Sequence, residues 1–170
     1  MNSIINFETW ETLDKETRRG KLLEFQKMCG EIEQEVGQVQ FGLREWFVNG
    51  VYAREITMPT NSIVVGKIHK TEHVSIVSKG RALVATEDGL EEIDASEKPH
   101  TFINKIGAKR CLLILEEMVW TTIHPTDKLT AEEVEKDIIA PTYESIGLEV
   151  NHELVGIRNI SSSLLSGGCS

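Results

Sequence analysis

The sequence has few of the features that mark disulfide-rich, membrane-spanning or secreted proteins. Its three cysteines, Cys29, Cys111 and Cys169, are far apart and form no CxxC pair. That pattern favours reduced thiols in a reducing compartment over a disulfide framework or a zinc knuckle. No apolar run approaches the roughly 20 residues that a membrane-spanning helix needs, and the acidic, polar first residues do not resemble a secretory signal peptide.

Positive charge is also scarce. There are 18 Lys and Arg against 27 Asp and Glu, which gives a formal net charge of −9 at pH 7. A broad face for duplex nucleic acid is not expected, because Lys and Arg carry most of the affinity for phosphates. Anionic membranes are disfavoured as partners for the same reason. No P-loop, dinucleotide fingerprint or GxSxG nucleophile motif is present. The negative net charge does not exclude binding of a small anionic ligand in a locally basic pocket.

What remains is an ordinary globular composition at the length of one domain. Residues 1–40 predict a helical segment, because apolar residues recur there at spacings of three and four. The members of this stripe are Leu22, Phe25, Cys29, Ile32 and Val36. We expect the helix to pack on the core of its own chain or, alternatively, on a second subunit.

Residues 41–126 predict a β-domain. Short β-branched segments are separated by turn signals at Asn49-Gly50, at residues 78–80 and at Asp88-Gly89. We interpret each segment as a separate strand, which also places Glu116 and Glu117 at a hairpin turn. No helix-length crossover separates neighbouring strands, so we expect an antiparallel sheet that forms a sandwich or barrel.

Residues 127–170 predict a short helix followed by an extended arm. Thr130 and Glu133 have the spacing of a capping box, and Val134 and Ile138 lie on one face of the helix that it opens. Pro141 ends that helix. From residue 142 onward the chain is predicted to be extended and to end in a Ser/Gly-rich tail.

Histidine carries the clearest chemical signal. His69 and His73 lie in one predicted strand and share a face with Thr71, while His124 ends a later strand. Three imidazoles can hold a divalent transition metal ion and leave coordination positions open. On a straight strand, however, His69 and His73 are about 13 Å apart, so both can bind one ion only if the strand bends or bulges. The alternative is that they hydrogen-bond inside a polar pocket.

The spacing Gly66, His69, His73, Gly80 resembles the first motif of the cupin family. With Gly80 aligned, His69 falls on the second motif histidine, and His73 stands where the family has glutamate. Lys67 then stands at the first histidine. The segment KIGAKR, residues 105–110, resembles the second motif, with Arg110 at the place of its histidine. Since only His69 matches a usual metal ligand in type, the resemblance does not carry over the family's whole metal site.

A closer similarity is to cupin proteins encoded by tailed bacteriophages. It rests on GVYAREITMP, GKIHKTEHVSIVSKG, GAKR and VWTTIH, and it covers roughly residues 48–125. The resemblance implies a mainly β, cupin or jelly-roll antiparallel barrel with an N-terminal helix, a short C-terminal helix and an extended tail. It also implies a phage origin, and hence a place in the cytoplasm of the infected bacterial host or in the virion. Fold alone does not supply a reaction.

Two functions follow as hypotheses. The first is non-catalytic: a homo-oligomer that binds a small anionic ligand, such as a carboxylate, a sugar phosphate or a nucleotide, or that serves as an accessory or structural protein. Its ligand-binding residues would be Lys67, His69, Thr71, His73, Arg110 and His124, with Lys109 and Arg54 adding positive charge. The alternative is a metal-dependent enzyme in which His69, His73 and His124 hold the ion. Glu72 or Glu117 would then be the general base.

Overall fold

The computed structural model describes residues 7–152 and 167–169. Its helices are α1 (Phe7–Trp10), α2 (Lys15–Val36) and α3 (Ala131–Ile138), and a short 3-10 helix spans Glu144–Ile146. The strands of the described part are β1 (Gly42–Val48), β2 (Val51–Met58), β3 (Ile63–Val65), β4 (Ile68–His69), β5 (His73–Ala85), β6 (Leu90–Asp94), β7 (His100–Asn104), β8 (Cys111–Pro125), β9 (Ile139–Ala140) and β10 (Gly167–Cys169).

One sheet contains eight of these strands. Its order is β1-β2-β8-β3-β10, and β5 pairs with β8 as well as with β6 and β7. A second, two-stranded sheet joins β4 to β9. The predicted mainly antiparallel β-fold, with an N-terminal helix and a short C-terminal one, is confirmed. The exception is β10, which pairs with β3 in parallel.

Strands β5 and β8 are long and continuous, so the turns predicted at residues 78–80 and at Glu116–Glu117 are wrong. The two strands pair from Val74 and Ile123 to Ala85 and Cys111, with register shifts around Gly80. Gly80 has φ 93°, and a Cβ there would lie 2.3 Å from the carbonyl oxygen of Glu117. The glycine therefore marks a bulge, where only a residue without a side chain fits. The other two turn signals do join β1 to β2 and β5 to β6.

Helix α2 packs on the sheet of its own chain. Leu22, Phe25 and Cys29 form a buried cluster with Trp10, Val65, Ala85 and Cys111. Arg19 adds an ion pair of 2.6 Å with Glu87, at the end of the β5–β6 hairpin. The predicted stripe is buried only in part, since Val36 at the end of the helix is 59% exposed.

The segment after Pro125 lies against the strands that carry the histidines. Thr130 caps α3 by accepting a hydrogen bond from the backbone of Glu133, as predicted, and Val134 and Ile138 pack against Tyr52. The predicted extended conformation is wrong for Glu144–Ile146, which form the 3-10 helix. Most of the predicted tail, residues 153–166, lies outside the described residues. None of the helices in the described part is long and apolar enough to cross a membrane.

Candidate metal and ligand site

Alternation along three neighbouring strands directs polar side chains into one cavity. Tyr52 of β2 pairs in register with His124 of β8, and the pairing of Val74 with Ile123 places His73 of β5 beside His124. Two residues further along each strand, Arg54 and Ser75 both pair with Thr122. Alternate residues of a strand share a face. One face of these strands therefore lines the cavity with Tyr52, Arg54, His73, Ser75, Thr122 and His124, whereas Val74 and Ile123 lie on the other face.

The expectation that His69 and His73 share one strand is wrong. Strand β4 ends at His69, β5 begins at His73, and the residues between them form a bend. The backbone of His69 is held by Ala108 and Gly107 on one side, and by pairing with Ile139 of β9 on the other. As a result the ring centroids of His69 and His73 are 4.2 Å apart, far less than a straight strand allows. The objection to a shared ion therefore does not hold.

His124 completes a histidine triad. Its ring centroid lies 4.3 Å from that of His73 and 5.6 Å from that of His69. One ring nitrogen of each histidine lies within 4.8 Å of those of the other two. A tetrahedral ion with bonds of 2.0–2.1 Å needs ligand nitrogens about 3.4 Å apart, so the triad nitrogens would have to approach one another by at most about 1.4 Å to hold one ion.

The environment keeps the three rings neutral. Burial, with a smaller contribution from the neighbouring His73, lowers the pKa of His69 to about 2 and that of His124 to about 4. Burial also lowers the pKa of His73. Neutral imidazole is the form that ligates metal, so no proton has to be displaced near neutral pH.

Hydrogen bonding leaves ring nitrogens of the triad available. Nδ1 of His73 lies 3.3 Å from the carbonyl oxygen of Thr71, so Nδ1–H donates there and the Nε2 lone pair stays open. Nδ1 of His69 and Nδ1 of His124 are buried without a hydrogen-bond partner among the described residues. Buried polar atoms are normally satisfied, so these two nitrogens are the ones that a metal ion would engage on His69 and His124.

The cavity has a volume of about 110 Å³. Its polar lining includes the triad, Arg54 and Arg110. Its apolar lining includes Ile56, Met58, Val64, Leu112 and Trp120, most of which belong to the main hydrophobic core. Pockets for drug-sized molecules are roughly 300–1,000 Å³, so this cavity suits a smaller ligand.

Arg110 reaches the cavity from the segment that precedes β8. Its guanidinium lies 5.2 Å from the ring centroid of Phe102 and 5.7 Å from that of Trp120. Its Nε is buried without a hydrogen-bond partner among the described residues, and burial lowers its pKa. Glu116, which follows Arg110 by six residues, pairs instead with Arg81.

The other predicted site residues are placed less centrally. Lys67 lines the cavity, but its Nζ lies 2.8 Å from the carboxylate of Glu135 in α3. Thr71 does not line the cavity and acts through its carbonyl group on His73. Nor does the structure bring Glu72 or Glu117, the predicted general bases, to the cavity. Glu117 pairs at the surface with Lys79.

Sequence reasoning missed two residues of the site. Asn104 pairs in register with His73, donates to Ser75 Oγ at 2.6 Å, and has a buried Oδ1 without a partner among the described residues. Glu135 lies on helix α3, after the last of the three triad histidines in the chain, and lines the same cavity. Both placements depend on long-range pairing, for which the local sequence contains no signal.

No protein-family model matches this sequence, and neither does any curated protein. Similar solved structures include a cupin-2 domain protein from Shewanella frigidimarina, at 16% identity over 57% of this chain and 92% of that one, with a TM-score of 0.41. A cupin domain from Bordetella pertussis has 16% identity over 52% and 96%, with a TM-score of 0.42. Ectoine synthase from P. lautus has 13% identity over 62% and 82%, with a TM-score of 0.45.

Two of these three proteins are described as cupins. At such identities and scores the likeness does not indicate what this chain binds, and it contains no sign of a phage origin.

Proposed function

We propose that this chain is a metal-dependent binding protein for a small anionic ligand. His69, His73 and His124 would hold a divalent transition metal ion, and the ligand would occupy the open positions of that ion. The observation that supports this most is the convergence of three neutral imidazoles, with ring nitrogens within 4.8 Å of one another, on the wall of one cavity.

The donor set fits a transition metal. Imidazole suits zinc, iron, manganese, nickel and copper, whereas magnesium and calcium prefer oxygen ligands. No Asp, Glu or Cys belongs to the triad among the described residues, so three protein ligands leave positions for other donors. A bound ion would supply positive charge and Lewis acidity to a ligand oxygen.

The cavity supports binding over acid–base catalysis. Among the described residues that line it, the one carboxylate is Glu135, and this carboxylate is engaged by Lys67. The alternative of a metal-dependent enzyme needs a general base within hydrogen-bonding reach of the reacting group. Neither Glu72 nor Glu117 lines the cavity.

Metal content tests the proposal. We would purify the protein without a histidine tag, load it with one divalent metal at a time, and measure bound metal by plasma mass spectrometry. We expect about one equivalent in the wild type and a loss in His73→Ala, since removing one of three ligands weakens binding strongly. His100→Ala is the matched control, because His100 is exposed and lies outside the triad. Equal metal in all three proteins, or none in the wild type, would refute the proposal.

A second proposal concerns assembly, and one surface feature favours it. Five outward-facing residues lie in register across five strands and form an apolar row: Ile103, Val74, Ile123, Ala53 and Trp46. Ile103 is 67% exposed, Trp46 43% and Val74 37%. Arg44 and Glu55 form an ion pair of 2.8 Å on the same face. Because this face carries both a positive and a negative side chain, the charges of a second copy can pair with those of the first. We propose that the apolar row joins two copies of the chain.

An accessory role of such an oligomer in a phage-infected cell or a virion stays a prediction from the sequence resemblance.

A further inference from the structure

Positive charge is concentrated in the cavity, against the trend of the chain. Among the described residues that line it, Arg54, Lys67, Lys109 and Arg110 are cationic and Glu135 is the one carboxylate. The chain as a whole has a formal charge of −9. A general basic surface therefore cannot account for the excess, and a counter-charge from a ligand is the direct alternative.

The four cations differ in how their donors are used. Lys67 pairs with Glu135, and Lys109 donates to the Gln26 side chain and to the carbonyl group of Gly66. The guanidinium groups of Arg54 and Arg110, in contrast, make no hydrogen bond or ion pair with any residue that the structure describes. A charge that is partly buried without a partner is costly, so these two guanidinium groups are the ones available to a ligand.

Aromatic rings, not carboxylates, hold Arg110 in place. Its guanidinium lies against Phe102 and Trp120, whose rings meet edge to face at a centroid distance of 5.4 Å. Trp120 is fixed in turn by a hydrogen bond of 3.0 Å from its Nε1 to Ser75 Oγ. Ring contacts position a guanidinium without using its N–H groups on a carboxylate. The N–H groups of the Arg110 guanidinium therefore remain available to donate to a planar or tetrahedral anionic group.

We infer that the ligand is a small dianion, with one acidic group at the triad, the second on Arg110, and Arg54 as a further counter-charge. This inference rests on the proposed metal site for its first contact. A divalent ion and two guanidinium groups together carry four positive charges, of which a dianion offsets two and a monoanion only one. A nucleotide exceeds the space of about 110 Å³. Short dicarboxylates and compact phosphate compounds share the required chemistry.

Calorimetric titration of the metal-loaded protein tests this directly. The probes are malonate, succinate, glutarate and inorganic phosphate as dianions, and acetate as the monoanion. We expect at least one dianion to bind about 10-fold or more tightly than acetate, and Arg110→Gln to weaken that binding about 10- to 100-fold. Arg110→Lys keeps the charge but not the fork, so its effect should be intermediate. Lys79→Gln is the control, because Lys79 is exposed and pairs with Glu117 outside the cavity.

Arg54→Gln provides a second variant, expected to lower dianion affinity in the same direction, should Arg110→Gln fail to fold. Acetate binding as tightly as every dianion would overturn the inference. So would unchanged dianion affinity in the folded Arg110 and Arg54 variants. Tighter binding of the dicarboxylates supports that class, and tighter binding of phosphate supports a phosphate compound.

The metal content of each sample separates this inference from the proposed metal site. If the wild type holds no metal, the metal proposal fails. The same titrations on metal-free protein then still test whether Arg110 selects dianions, since the excess of cationic residues is there without the ion.

Discussion

Lys67 Nζ lies 2.8 Å from the carboxylate of Glu135 and so ties the chain beside His69 to helix α3. Each side chain is more than two-fifths exposed, so the ion pair contributes little to stability. Its charge matters more, because Glu135 contributes the one carboxylate among the described residues of the cavity.

Glu135→Gln should therefore strengthen anion binding. Removing this negative charge frees Lys67 and raises the positive potential of the cavity, and we expect a several-fold increase in affinity for succinate or phosphate by calorimetry. The free energy of unfolding should change by less than about 1 kcal/mol. Glu132→Gln, on the same helix but outside the cavity lining, is the control. A drop in anion affinity would show that Glu135 has another role.

The metal-free protein should lose stability as the pH falls below about 6.5. Burial lowers the pKa of His69 to about 2 and that of His124 to about 4, so below pH 6.5 the unfolded chain binds protons that the folded chain does not. Stability is then present above the unfolded pKa of about 6.5, and it falls by up to about 1.4 kcal/mol per pH unit for each such histidine.

Urea denaturation at several pH values between about 7 and about 5 measures this dependence. His69→Gln should show a shallower pH dependence than the wild type, whereas His100→Gln should keep the wild-type slope. Equal slopes in all three proteins would mean that the triad is not buried in its neutral form.

How much the sequence could predict differs from feature to feature. Alternation and turn signals predicted the antiparallel strands, and residue type singled out His69, His73, His124 and Arg110. Their convergence could not be read in the same way, because it depends on a bend before His73 and on the register of β5 with β8. Gly80 shows the limit most clearly. Its neighbours suggest a turn, yet a long-range contact with Glu117 makes it a bulge within one strand.

That contact makes Gly80→Ala a sharp test of the β5–β8 pairing. The new Cβ would meet the carbonyl oxygen of Glu117 at 2.3 Å and Met118 Cα at 2.6 Å, at a backbone φ of 93°. We expect a loss of about 3 kcal/mol or more, measured by chemical denaturation. Gly50→Ala isolates the backbone cost of a positive φ, here 81° with no atom within 4 Å, and should lose about 1 kcal/mol. Equal losses would argue against the bulge.

Trp46→Glu should disrupt the proposed dimer. The substitution places a charge at one end of the apolar row, where Trp46 is 43% exposed, so the fold should survive while association is lost. Light scattering after gel filtration gives the mass of each form. Lys98→Glu changes charge at an exposed position in the loop between β6 and β7 and should leave the mass unchanged. A wild-type monomer would contradict the proposal.

X-ray absorption at the edge of the bound metal would identify the atoms that ligate it. We expect about three imidazole nitrogens around the ion in the wild type, and about two around any metal that His124→Ala retains. A spectrum with only oxygen ligands, or one that His124→Ala leaves unchanged, would contradict this expectation.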